Sequence, residues 1–178
     1  MAERDLILTG MFRDRESAER AYGSVAGRGY GEEDVDLLMS EEARRRHFGD
    51  GRESELGTKA AEGAALGAAV GGGLGALLAG LAAAGTIALP GIGLIAMGPI
   101  AAALAGGAIG AAGGGLLGGL IGYGIPEEQA RRYEEGIRQG HIVMGVRPRT
   151  EEDARYFDQE WREAGGEEIY CPPGRRAA

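Results

Sequence analysis

Between Glu62 and Glu127 the chain runs for 64 residues without Asp, Glu, Lys, Arg or His, and glycine returns through that stretch at every fourth residue. Gly63, Gly67, Gly71 and Gly75 form one series; Gly106, Gly110, Gly114, Gly118 and Gly122 form a second. Residues four apart share one helix face, so each series predicts a smooth stripe where another backbone can approach closely and gain dispersion contacts. In water such a helix is poor, since each interior glycine costs about 1 kcal/mol relative to alanine. A bilayer reverses the balance, because an unpaired backbone amide is expensive there and a helix satisfies it. Lys59–Ala84 and Pro99–Gly124 each offer 26 residues, against the roughly 20 that a span needs. Pro90, Gly91, Gly93, Gly98 and Pro99 place a turn between them. The expectation is a glycine-zipper helical hairpin over 59–125, turning near 85–98 and crossing a membrane.

Charge at its ends gives that hairpin an orientation. Arg44, Arg45, Arg46, Arg52 and Lys59 precede the first helix, Arg131 and Arg132 follow the second, and the joining loop has no charge. The positive-inside rule then sets both flanks in the cytoplasm, with the loop at or beyond the opposite interface of the membrane. Tyr123, at the end of the second helix, has the place of an interface anchor. Gly and Ala are only weakly hydrophobic, however, so a cytoplasmic soluble assembly in which hairpins cover one another is the alternative. Both readings make a second copy of the chain a partner, and the first adds the lipid bilayer.

All 27 acidic and 19 Lys/Arg residues lie in the flanks, and the net charge is -8. That sign disfavours nucleic acid, whose phosphates need a positive field. The 35 glycines follow no Gly-X-Y period, which excludes collagen. One cysteine, Cys171, makes no disulfide framework. The opening residues lead into a strand-like run without an apolar signal core, predicting no cleaved secretory signal.

The flanks repeat one plan. Asp5–Phe12 is a strand with Leu6, Leu8 and Phe12 on one face and Ile7 and Met11 on the other. A helix follows from Asp14 to about Ala26, then a strand over Asp34–Met39 in which Leu38 blurs the alternation. Past the centre, Pro126-Glu127-Glu128 opens a helix that breaks at Gly140, and His141–Val146 is a strand. Thr150 caps a further helix with Asp153 in the capping-box position, and Glu167–Cys171 is the last strand. Two strand–helix–strand units that share one sheet, with both helices on one side, form an α+β ferredoxin-like βαββαβ sandwich. Its halves are 1–58, which ends in a basic connector, and 126–171; residues 172–178 are a flexible tail. The long insertion does not forbid pairing, because loop-closure entropy rises only logarithmically with length.

No catalytic, metal or cofactor constellation accompanies these elements. The Gly71-Gly72-Gly73 and Gly113-Gly114-Gly115 runs lack the Lys-Ser/Thr of a phosphate loop and the strand of a dinucleotide site. His47, His141 and Cys171 are too few for a metal centre, although His141 opens a strand and Cys171 ends one and the two could approach. Tyr156, Phe157 and Trp161 read as core and domain edge. Structural roles are the simpler reading of them all, and the chain is read as non-enzymatic with no cofactor.

The strand DLILTGMF with the helix RESAERAY, the strand DVDLLMSEEA, the glycine-rich centre, and GHIVMGVRP followed by TEEDARYFDQEWREAGGEEIY resemble the bacterial general stress protein family, with a YflT-like or 17M-like flanking domain. The resemblance covers nearly the whole chain and implies stress-associated expression; it supplies no catalytic residues. The functional expectation is a membrane-associated stress-response protein that self-assembles through the hairpin and presents an acidic cytoplasmic domain to an unidentified protein. An oligomeric tube or pore that binds an apolar ligand or lipid is the second reading.

Overall fold

The computed structural model describes residues 7–48, 74, 86–89, 94–97 and 115–172. Their strands form one antiparallel sheet of six, four supplied by the charged flanks and two by the uncharged segment. The elements are β1 (Leu8–Phe12), α1 (Arg15–Gly27), a 3-10 turn (Glu32–Asp34), β2 (Val35–Ser40), α2 (Glu41–Phe48), β3 (Thr86–Leu89), β4 (Leu94–Met97), α3 (Gly115–Gly122), α4 (Glu127–Arg138), β5 (Ile142–Val146), α5 (Glu151–Glu163) and β6 (Glu167–Tyr170). Across the sheet the order is β3-β4-β2-β5-β1-β6. β5 lies between the strands of the first flank, with Leu8 opposite Val146 on one side and Val35 opposite Val146 on the other.

Each sheet face is covered, which explains why the strands read as apolar runs instead of clean alternations. Leu8, Phe12, Val35, Leu37, Met39, Ile142, Met144 and Val146 turn to one face, where α1 and α5 pack through Ala18, Ala21, Val25, Phe157 and Trp161. Ile7, Met11, Leu38 and Val143 turn to the other, beneath α3 and α4. Leu38, the residue that spoils the period in β2, is therefore a core residue of the second face. Caps set the helix starts: Asp14 accepts the Ser17 amide at 2.8 Å, and Thr150 accepts the Asp153 amide at 3.0 Å. Glycines at positive φ follow four of the helices: Gly29 after α1, Gly124 after α3, Gly140 after α4 and Gly165 after α5. Gly140, at φ 92°, closes α4 while the His141 amide reaches back to the Gly136 carbonyl at 2.9 Å.

The two flank helices share one side, as the repeat of strand–helix–strand predicts. Three features differ from the sequence reading. The basic connector is a helix, α2, whose arginines pair along its surface with Glu41 and Glu42 and whose start is capped by Ser40. The helix before β5, to which the sequence reading gave no face, forms a second layer. The largest correction falls on 85–98. In place of a loop joining two helices at the far side of a bilayer, β3 and β4 pair residue for residue from Thr86–Met97 to Leu89–Leu94, and β4 pairs with β2 from Leu37–Met97 to Ser40–Leu94. Thr, Ile, Leu and Met in two four-residue runs, four residues apart, suit a hairpin. The edge of β2 supplies the backbone partners it lacks alone. Residues 94–97 consequently stand beside the flanks, and no helix among the described residues is long and apolar enough to cross a membrane.

Candidate functional site

The densest polar constellation joins two connections at one end of the sheet, α1 to β2 and β5 to α5. Tyr30, only 5% exposed, lies edge-on to Phe157 with ring centroids 5.1 Å apart. Its hydroxyl donates to Asp153 Oδ2 at 2.7 Å and accepts the Arg149 amide at 2.7 Å. Asp153 also accepts from Thr150 Oγ1 at 2.9 Å and Arg28 at 2.8 Å. The Arg149 guanidinium covers the Tyr30 ring at 4.3 Å and pairs with Asp34; that of Arg28 covers Tyr156 at 4.2 Å. Burial pushes the Tyr30 phenol above its ordinary pKa. Burial also opposes ionisation of Asp153, but the hydrogen bonds from Tyr30, Thr150 and Arg28 outweigh it and hold that carboxyl low.

Every charged head in this cluster already has a partner, so its chemistry is that of a clasp between loops and not of a binding cavity. Asp153→Asn is expected to cost about 1 kcal/mol at pH 7, where charge-assisted hydrogen bonds to Arg28 and Tyr30 are lost. The sign with pH follows from the lowered pKa. The carboxylate's contribution is present above its ordinary value near 3.8 and is lost as pH falls through the lower folded value. Urea unfolding of both proteins at pH 7 and pH 3 checks this; an equal gap at the two pH values would contradict it.

A shallow groove of about 320 Å³ runs along α4, bordered by Met11, Arg131, Arg132, Glu135, Gly136 and Glu168. Arg131 pairs with Glu127 at 2.6 Å and Arg132 with Glu168 at 2.7 Å, so neither is an open anion site. Near it, burial and the positive charge of Arg13 lower the His141 pKa against a weaker opposing pull from Glu167. The structure does not bring His141 and Cys171 together. His141 lies at the Phe12 end of β1, while Cys171 follows β6 beyond its Tyr170–Thr9 pair at the opposite end. Among the described residues no group of acids, His and Cys could hold a metal ion.

The glycine stripes are placed only at their described end. Gly63, Gly67, Gly71, Gly75, Gly106, Gly110 and Gly114 lie outside the described residues, as do Arg52, Lys59, Pro90, Gly91, Gly93, Gly98 and Pro99. On α3, Leu116, Gly119 and Leu120 are buried, whereas Gly118 is half-buried and Gly122 and Ile121 are exposed, Ile121 at 40%. The stripe at its end thus turns away from the domain to which α3 belongs. Tyr123, just beyond, is half-buried, with the Arg147 guanidinium 5.4 Å from its ring centre. Leu74, in the first glycine-rich arm, is helical and wholly buried in the core cluster of the α1/α5 face. Arg44, Arg45 and Arg46 sit on α2, and each pairs with Glu41 or Glu42.

Two features were not read from the sequence. Tyr30 lies in a glycine-rich breaker that marks only a turn, and Leu74 is one leucine in a biased segment. For Tyr30 a signal existed in its aromatic character amid Gly27–Gly31, where a loop has little reason to keep a large ring unless it packs. Comparison with protein-family models, with curated proteins and with solved structures returns no match for this chain.

Proposed function

We propose that this chain is a non-enzymatic, self-assembling stress-response protein of the bacterial cytoplasmic membrane. In this reading its charged domain faces the cytoplasm and its uncharged segment makes contacts with other copies and with lipid. The single observation that carries the reading is the orientation of α3: Leu116 and Leu120 pack inward, while Ile121 and Gly122 are exposed and Gly118 is half-buried beside them. The Gly118–Gly122 row has no protruding side chains and suits close approach of another helix, with Ile121 beside it as an apolar contact. The resemblance of the flanks to general stress proteins supports the biological setting, and the strand order β2-β5-β1-β6 with α1 and α5 on one face supports a ferredoxin-like sandwich whose middle connection is expanded. Because β4 pairs with β2, the membrane contact is proposed from the cytoplasmic face, without a loop on the far side. The acidic flanks carry the surface for a cytoplasmic protein partner.

Two measurements test the halves of this proposal separately. Full-length protein is expected to sediment with membranes and to be released by detergent; complete recovery in the soluble fraction without detergent removes the membrane half. Gly118→Leu and Gly122→Leu are expected to reduce oligomer size in light scattering while the melting temperature holds or rises, since leucine favours helix over glycine by about 1 kcal/mol. An oligomer of unchanged size removes the role of the stripe.

A further inference from the structure

The sheet ends in two edges of opposite character. At β6, Glu167 pairs with Arg13 at 2.7 Å and Glu168 with Arg132 at 2.7 Å, so charge lines the strand. Its register against β1 shifts between Thr9 and Met11, Glu168 has φ 49°, and Pro172 follows two residues after the strand ends. Charges, irregularity and proline are the devices that stop another strand from adding to an edge. At β3 the four residues Thr86-Ile87-Ala88-Leu89 carry no charge and no proline, and they pair with β4 in unbroken register. Among the described residues β3 pairs with β4 alone. A proline, Pro90, follows β3 as Pro172 follows β6, but along Thr86–Leu89 the edge has neither the charges nor the register shift of β6, and among the described residues no strand pairs with its outer side.

We propose that two copies of this chain join by antiparallel pairing of their β3 strands, continuing the sheet from one copy into the next. The inference rests on the self-assembly reading above and adds to it the contact. A second copy is the occupant that fits this edge. The strand is uncharged, so pairing with itself brings no like charges together, and an antiparallel strand pair can obey a two-fold axis, giving a closed isologous contact. An axis normal to the sheet also carries each face of one copy onto the same face of the other, so the helix layers continue without reversal. The geometry has a further consequence. Facing residues of an antiparallel pair point to the same side, and under such an axis one residue must stand opposite its own copy. Facing Cα atoms are about 4.5–5.5 Å apart in such pairs, which lies within the range a disulfide bridges.

A cysteine scan of the full-length protein tests this. Cys171 is buried and is replaced in all variants by Cys171→Ser. Thr86→Cys, Ile87→Cys, Ala88→Cys and Leu89→Cys are then oxidised mildly, one at a time. One position is expected to give covalent dimer at least about tenfold faster than its immediate neighbours, whose side chains point to the other face. Ile87→Pro and Ala88→Pro give an independent reading, since of two adjacent amides one points toward β4 and the other outward. The outward variant is expected to lose the association while keeping the melting temperature. If light scattering shows an oligomer but no position crosslinks preferentially, the β3 contact is overturned and self-assembly stands. If the unmodified chain is a monomer, both readings are overturned. Should both proline variants unfold, the cysteine scan still decides.

Discussion

Replacing Trp161 with alanine is expected to lower the unfolding free energy by about 3–5 kcal/mol, the range found for large aromatic truncations in a packed core. Typical domains have about 5–15 kcal/mol in all, so this one change removes a large share. The reason is where α5 places the ring. Trp161 is wholly buried, meets Phe12 edge-on with centroids 5.6 Å apart at 76°, and donates its indole N–H to the Ala21 carbonyl of α1 at 3.2 Å. It thereby ties both helices of that layer to β1. Gly10 is part of the same fit: a Cβ there would lie 3.0 Å from the Trp161 ring and 3.3 Å from Ile169, so alanine would have to push the indole off its seat on the strand by a few tenths of an ångström. Gly10→Ala is therefore expected to destabilise the parent protein and to cost much less in the Trp161→Ala background, where the ring has gone. Chemical unfolding followed by far-UV circular dichroism measures all four proteins. A loss below about 1 kcal/mol for Trp161→Ala, or strictly additive effects, would show that the seam is not organised around this ring.

That seam was half legible in the sequence. Ala154, Phe157 and Trp161 recur at helical spacing behind a Thr150 cap, and Leu8 and Phe12 alternate with Ile7 and Met11, so both elements and their inward faces could be read from period and cap together. What Trp161 rests on could not be, because Gly10 is 151 positions away in sequence and a strand glycine has many possible causes. The polar clasp at Tyr30 was hidden for a similar reason, its partners lying 119 to 125 residues along the chain. The middle of the chain is hard to read for another reason. A glycine every fourth residue marks a helix face, but on α3 the buried face is the one bearing Leu116 and Leu120. Burying a leucine contributes roughly 1.5–3 kcal/mol, whereas a glycine stripe has no side chain to bury, so the leucines decide which side meets the sheet. The strands β3 and β4 are only four residues each, too short for periodicity to separate them from helix. β4 is set by pairing with β2, which lies far off in sequence, and β3 by pairing with β4.

Tyr133→Phe is expected to cost about 1–3 kcal/mol although it deletes one oxygen, because buried partners lose a hydrogen bond they cannot replace with water. The phenol lies between three elements: it donates to the Glu168 carbonyl at 2.8 Å and stands 2.8 Å from Thr9 Oγ1. Thr9 is 1% exposed, so its hydroxyl has no route to solvent. The Glu168 carbonyl keeps the Gln129 amide at 2.6 Å, which keeps the loss below that of two orphaned groups. Glu168 holds the positive φ of β6, a conformation that survives only where its surroundings fix it, so β6 is where the variant should loosen first. Alkaline pH gives the sharper reading. Burial raises the Tyr133 pKa above the ordinary value of 10.0. Below that value the phenol is protonated both folded and unfolded, and it makes stability neither rise nor fall with pH. Above it the unfolded chain releases the proton while the folded chain holds it, so stability drops as pH climbs toward the folded value. Phenylalanine has no proton to release. The variant should therefore be less stable than the parent at pH 8 yet lose less on moving to pH 11, with the part due to Tyr30 left in place. Parallel alkaline limbs in urea titrations of the two proteins would rule out Tyr133 as the group that sets them.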